Sequence, residues 1–264
     1  MSMSMETMTG HLPTNEAEAP RCRFCGCSLP IVHNPFTGDP IAYGACNCKA
    51  SRTLKAEEKA KEQIKAEKRA EEKLMKKAKL PKKFWGAVAR IKELLTYEIP
   101  AKDGEGLYIF GAVGTGKTET VCALARKELR RGKRVRYINE PLFFGEMKAR
   151  YAEAHPEQSA EALVQDAVTV DVLIIDDIGK TKPTTFAVET LYRIIEGRYA
   201  ENLKTMVTSN FTLEQLQGAL GRQGEADKAA AICSRLREMC RPVFSGRVDH
   251  RAQGGQSPVA AVTG

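Results

Sequence analysis

No run of apolar residues approaches the length of a membrane span, and the first 18 residues, polar and sprinkled with methionine, lack an apolar core of secretion-signal length. These absences argue against a membrane-spanning or exported chain and place it, as an expectation, in the cytoplasm. Thiols stay reduced there, so the eight cysteines are not read as a disulfide framework, and clustered ones become candidates for metal. The 264 residues, 42% of them apolar, suffice for one domain of good size with appendages.

Five of the eight cysteines fall within 27 residues: Cys22, Cys25, Cys27, Cys46 and Cys48. The pair Cys22-x-x-Cys25, with Gly26 relieving the backbone, forms a tight turn that aims two thiolates at one ion. Cys46-x-Cys48 supplies a second pair after a loop with Pro35, Gly38, Asp39 and Pro40, which reads as a hairpin tip. Four thiolates imply a structural Zn²⁺ site, and so short a segment would draw most of its folding energy from the metal. Cys22, Cys25, Cys46 and Cys48 are the favoured ligands, with Cys27 or His33 as substitutes. Cys122, Cys233 and Cys240 stand singly in helical patterns and read as small core residues.

From Lys49 to Lys83 there are 14 Lys or Arg against six Glu, an excess of eight that equals the net charge of the whole chain. Pairs such as Glu57 with Lys61 and Glu72 with Lys76 support an exposed helix, while Ile64, Leu74 and Met75 are too sparse for a heptad. A solvated spacer and a contact with nucleic-acid phosphates both fit. Pro81 ends the stretch.

Strands alternate with helices beyond this point. Phe84, Val88, Ile91 and Leu95 have helical spacing and predict a lead-in helix. The segment from Tyr97 to Asp103 reads as a loop. The apolar run Leu107–Phe110 then leads into Gly111-Ala112-Val113-Gly114-Thr115-Gly116-Lys117-Thr118, followed by a helical pattern from Glu119. That is Gly-x-x-x-x-Gly-Lys-Thr between a strand and a helix, the setting in which the pattern marks a phosphate loop. Its glycines let several N–H groups converge on an anion at a helix N-terminus. Lys117 would reach the β and γ phosphates of a nucleotide, and Thr118 would hold Mg²⁺. A second apolar run, Val172–Ile175, ends in Asp176-Asp177. Asp176 would hold Mg²⁺ through water, and Asp177 would orient or deprotonate the attacking water. Arg134–Ile138 and Thr205–Asn210 read as further strands, and Leu142–Ala154, Ser159–Ala167, Thr185–Ala200 and Ala229–Cys240 as helices. Asn210 either positions the water or caps the helix starting near Leu213. Arg235 is either an arginine finger for a neighbouring subunit or an arginine on a wet face beside Glu238.

The ordered set Gly111–Thr118, Ile174–Gly179, Thr208-Ser209-Asn210 and Ser234-Arg235-Leu236 resembles the AAA+ ATPases of the bacterial replicative-helicase loader family, the DnaC/DnaI type. The IstB-type transposition helper ATPases are close relatives. The resemblance covers roughly Pro81 to Arg251. It implies an ATP-dependent oligomer with active sites shared between neighbours, and binding to single-stranded DNA and a hexameric replicative helicase. It also implies Lys117 and Thr118 at phosphate and Mg²⁺, with Glu119, Val113 and the loop glycines Gly111, Gly114 and Gly116 around Thr115. Asp176 and Asp177 become the acidic pair, Asn210 the first sensor and Arg235 the finger. The zinc-type amino terminus resembles the helicase-gripping domain of some loaders.

The expected organisation is therefore a parallel α/β P-loop sheet of AAA+ type, covered by helices and without a helical lid. Residues 1–18 are expected to be disordered, 19–50 to form the zinc-binding unit, 51–80 the charged helical linker, 81–251 the ATPase domain and 252–264 a disordered tail. The segment Gly246 to Arg251 is one residue longer than the closing motif of relatives, which leaves a second sensor open between Arg247 and Arg251. A transposition helper acting on duplex DNA, a non-enzymatic zinc-dependent DNA-binding adaptor and a chaperone-like ATPase are the alternatives.

Overall fold

The computed structural model describes residues 19–95, 105–150 and 156–246. The expected loop from Tyr97 to Asp103, the sensor candidates Arg247 and Arg251, and both expected disordered ends lie outside these. The chain divides into two compact units, Met1–Arg69 and Ala70–Gly264.

In the first unit, β1 (Ile31–His33) and β2 (Pro40–Tyr43) form an antiparallel hairpin around the expected tip. A turn precedes it in which Cys22 N–H donates to Cys27 O at 2.8 Å and Gly26 N–H to Cys22 O at 2.9 Å. Helix α1 (Lys49–Lys77) follows, polar on every side except at its last turns.

The last turns of α1, from Ala70 on, belong to the second unit and lie in its core. Met75, Ala78 and Leu80 are buried, and Glu71 spans Arg126 and Arg130 through paired hydrogen bonds of 3.0–3.2 Å. The expected lead-in helix is not formed as a whole: Lys82–Phe84 is one 3₁₀ turn and only Lys92–Leu95 is α-helical (α2). Trp85 Nε1 donates to Leu80 O and Arg90 N–H to Thr120 Oγ1, so this segment finds its hydrogen bonds outside a helix, and Val88 stays exposed.

The remaining elements are β3 (Gly106–Phe110), α3 (Lys117–Arg130), β4 (Val135–Asn139), α4 (Glu140–Arg150), α5 (Pro156–Thr169), β5 (Val172–Ile178), α6 (Thr185–Ala200), β6 (Lys204–Ser209), α7 (Leu213–Leu220), α8 (Ala226–Met239) and β7 (Cys240–Phe244). Five strands form one parallel sheet in the order β4-β5-β6-β3-β7, the P-loop sheet of AAA+ type. Strand β7 departs from the sequence reading, which ran the preceding helix through Cys240. Pro242 obscures it, yet an edge strand tolerates proline because one side of its backbone has no ladder partner.

Alternation along the strands builds two cores. Tyr108, Ile138, Leu173, Ile175 and Val207 pack with α4 to α8, whereas Leu107, Ile109, Tyr137, Ile174 and Met206 pack with α3 and the end of α1. Cys122, Cys233 and Cys240 are buried in these cores, as their isolated positions suggested. Arg198 is completely buried: its guanidinium donates to Ala167 O, Val168 O and Val170 O at the end of α5, to Lys204 O and to Thr205 Oγ1. A planar five-donor group takes up several carbonyls at and just past this helix end at once, which offsets the cost of burying its charge.

Candidate active site

The phosphate loop leaves β3 at its carboxyl end and enters α3, whose N-cap Gly116 has a φ of +83°. A Cβ there would meet the Arg90 side chain at 3.0 Å, and one at Gly111 would meet Ser245 Oγ at 2.4 Å, so both positions are closed to larger residues. Ser245, just past β7, fixes the loop: its N–H donates to Phe110 O at 2.8 Å and its hydroxyl lies 2.7 Å from Thr115 Oγ1. The Lys117 ammonium reaches back along the loop to Gly111 O (2.9 Å), Ala112 O (2.7 Å) and Asn210 Oδ1 (2.9 Å).

Thr118 Oγ1 donates to Asp176 at 2.9 Å, joining the phosphate loop to the acidic strand. Two further hydroxyls converge on the same carboxylate, Thr208 Oγ1 on Oδ1 at 2.6 Å and Tyr137 Oη on Oδ2 at 2.7 Å. All three donors are neutral. Burial pushes the Asp176 carboxyl above the usual range, Thr208 and Tyr137 pull it part of the way back, and the neighbouring charge of Asp177 adds to the rise. A desolvated carboxylate held by neutral hydroxyls, one of them a threonine of the phosphate loop, is a donor set suited to a hard divalent cation.

Consecutive strand residues face opposite ways, so Asp177 should point away from Asp176. Its φ of +61° and a register shift between Ile175 and Ile178 break that alternation, and Asp177 lines the cavity at the phosphate loop. Asp177 N–H donates to Thr208 Oγ1 at 2.9 Å, and its carboxylate pairs with Lys180 at 3.1 Å. A cavity of about 360 Å³ opens here, lined by the phosphate loop together with Phe84, Arg90, Asp177, Lys180 and Asn210. Asn210 therefore faces the cavity, and the helix cap belongs to Thr212, whose side chain accepts from Gln215 N–H in a capping box. Val113 is exposed at the cavity rim, and the Glu119 carboxylate pairs with the Arg90 guanidinium.

Arg235 does not line this cavity. Its guanidinium forks onto Glu196 at 3.0 and 3.3 Å and stacks 4.3 Å from the Tyr199 ring. Sequence reasoning missed Arg90, Tyr137, Lys180, Thr208 and Ser245. The strand period carried a signal for two of them, since Thr208 falls in phase with Met206 on β6 and Tyr137 with Val135 on β4, the face that meets α3.

In the first unit the four sulfurs of Cys22, Cys25, Cys46 and Cys48 lie within 4.8 Å of one another. The separations Cys22–Cys48 (3.9 Å) and Cys25–Cys46 (3.4 Å) bracket the edge of about 3.8 Å in a tetrahedron with Zn–S bonds near 2.3 Å. The N–H groups of Phe24 and Cys25 lower the Cys22 thiol to about 6, whereas the Cys25 and Cys46 thiols are raised in the same cluster. The four residues thus fit zinc. Cys27 and His33, the possible substitutes, are engaged elsewhere: Cys27 Sγ with Cys25 O, and His33 Nδ1 with Gly38 O at 2.9 Å.

A family model described as IstB-like ATP binding protein matches residues 51–253. The chain is 28% identical over 145 residues to the replicative helicase loader DnaI of Bacillus subtilis, covering 53% of this chain and 45% of that protein. It is 29% identical over 117 residues to the replicative helicase loader DnaC of Escherichia coli K12, covering 44% and 47% respectively. It thus spans less than half the length of these curated relatives. Among solved structures, a crystal structure of DnaI aligns at 30% identity with a TM-score of 0.48, over 57% of this chain and 78% of that one. No helix among the described residues is long and apolar enough to cross a membrane.

Proposed function

The chain belongs to the IstB-like ATP-binding proteins, and from that premise we propose that it hydrolyses ATP to load a replicative DNA helicase onto single-stranded DNA during replication initiation in the cytoplasm. The observation that carries the chemistry is the hydrogen bond from Thr118, which lines the cavity with Lys117 and Asp177, to the buried Asp176 carboxylate. The similarity to two replicative helicase loaders supports the task.

ATP phosphates would lie at the N-terminus of α3, with Lys117 exchanging the carbonyls of Gly111 and Ala112 for phosphate oxygens. Thr118 and Asp176 would hold Mg²⁺, which supplies charge neutralisation at the β and γ phosphates when bound. Asp177, turned into the cavity by its left-handed backbone, would orient or deprotonate the attacking water. Asn210, already on the Lys117 ammonium, would sense the γ-phosphate because that ammonium must leave it when phosphate arrives. Arg235 would come from the neighbouring subunit of a homo-oligomer to stabilise charge in the transition state. Residues 19–50, folded round zinc, would grip the helicase, the solvated part of α1 would serve as linker, and the second unit, which includes the end of α1, would be the ATPase domain.

The family description favours a second reading, a transposition helper acting on duplex DNA with the same ATPase core. Two measurements separate the readings. Light scattering of the protein mixed with its source's replicative helicase in Mg-ATP should give a stable complex that is lost when residues 1–50 are deleted. Phosphate release should rise with single-stranded DNA and disappear in Lys117→Ala. No complex, together with ATP-dependent duplex binding, would move the assignment to the transposition helper; no phosphate release under any condition would leave a non-enzymatic adaptor.

A further inference from the structure

Asp176 is fixed from both of its oxygens, and one of the fixing groups comes from a strand that carries no motif residue. Asp176 Oδ1 takes the hydroxyls of Thr208 (2.6 Å) and Thr118 (2.9 Å), while Oδ2 takes the Tyr137 hydroxyl at 2.7 Å and a longer contact of 3.2 Å from Thr118. The terminal torsion of an aspartate is broad, so donors on one oxygen alone leave the carboxylate free to swing about its axis. A donor on the other oxygen removes that freedom. The contact is built into the parallel ladder: Tyr137 pairs with Ile174 and Asn139 with Asp176, which sets Tyr137 on the diagonal to Asp176 on the same face, within reach of an aromatic side chain.

We infer that Tyr137 is a positioning residue for the Mg²⁺-holding carboxylate, its hydroxyl setting the rotation of Asp176 and thereby the metal affinity of the nucleotide site. The inference rests on the nucleotide-site reading given above. A positioning residue must itself be held, and Tyr137 is. Its ring is buried in the core beneath α3, and its own N–H, on the outer side of edge strand β4, donates to Ala78 O at 2.8 Å. That bond lays the segment after α1 along the sheet edge, so the tyrosine is gripped by backbone as well as by packing. A tyrosine that merely filled the core would need only some partner for its hydroxyl; this one makes the shorter of the two contacts to Asp176 Oδ2, 2.7 Å against 3.2 Å from Thr118.

The test is the Mg²⁺ dependence of nucleotide binding in the full chain, read as fluorescence anisotropy of a labelled non-hydrolysable ATP analogue. Tyr137→Phe keeps the ring and should bind the analogue as the unaltered protein does in EDTA. The Mg²⁺ concentration for half-maximal enhancement should rise about tenfold, as for other groups that orient a metal ligand. An unchanged midpoint in a folded Tyr137→Phe protein would overturn the inference and make the hydroxyl a packing feature. If Tyr137→Phe does not fold, a fluorinated tyrosine at position 137 keeps the shape and strengthens the donor; a shifted midpoint supports the role and an unshifted one rejects it. If the unaltered protein binds the analogue without regard to Mg²⁺, the site reading and this inference fail together, whereas a midpoint unmoved by Tyr137→Phe removes the inference alone.

Discussion

Thr208 Oγ1 donates to Asp176 Oδ1 at 2.6 Å and accepts the N–H of Asp177 at 2.9 Å, so one buried hydroxyl holds both members of the acidic pair. Thr208→Val keeps the shape but leaves a buried carboxylate short of a donor and a peptide N–H without its acceptor. The expected cost is about 1–3 kcal/mol, seen as a fall of several degrees in Tm. Thermal unfolding with and without nucleotide checks it, and a variant that melts with the parent would show that neither bond matters.

Arg235 and Glu196 pair on a face where each side chain is about a third exposed, at 34% and 36%. Such a solvent-exposed pair adds little to stability. Arg235→Ala should therefore fold and bind nucleotide normally while turnover drops about 10³-fold or more, the usual effect of losing an arginine finger. Because the finger would act on a neighbour, mixing Arg235→Ala with Lys117→Ala subunits should restore part of the activity. Turnover by Arg235→Ala equal to that of the parent would end the role.

The four-cysteine site makes a prediction independent of the ATPase. Purified protein should carry one zinc per chain, measured by elemental analysis. Cys46→Ser should lose it and unfold the segment around the hairpin, since a unit this small has little core of its own. Cys27→Ser should keep the metal, because that thiol turns to the Cys25 carbonyl. Retention of full zinc by Cys46→Ser would mean that other ligands hold it.

Glu71 anchors the end of α1 to α3, and burial alone would raise its carboxyl above 4.5; Arg130 and Arg126 outweigh that and hold it below. A depressed carboxyl favours the folded state once ionised, so its contribution is present above pH 4.5 and fades as pH falls through the lower folded value. Glu71→Gln should cost on the order of 1 kcal/mol at neutral pH and nothing in strong acid, with the two denaturation midpoints converging below pH 4.5. Parallel midpoints across that range would show that Glu71 works by packing alone.

The P-loop, the acidic strand and the paired cysteines were legible because each is a short pattern whose chemistry depends on neighbours in sequence. Glycine and lysine at fixed spacing meet a phosphate wherever a strand runs into a helix, and four aliphatics before two aspartates mark a buried strand end whatever lies beside it. Strand β7 was not legible, because an edge strand with proline lacks the composition of an interior one. The lead-in helix was misread for the opposite reason: apolar spacing suggested a helix where Trp85 and Arg90 bond to Leu80 and Thr120 instead.

What the sequence by itself determined, then, is the chemistry available: a phosphate cradle, two carboxylates and four thiols able to hold a metal. Tertiary structure alone decided which groups support them. Thr115 meets Ser245 across 130 residues, Asp176 meets Tyr137 across 39 and Thr208 across 32, and Arg235 meets Glu196 across 39. Periodicity tells a strand residue which face it takes; the order in which strands lie side by side, fixed by the packing of the whole sheet, tells it whom it will touch.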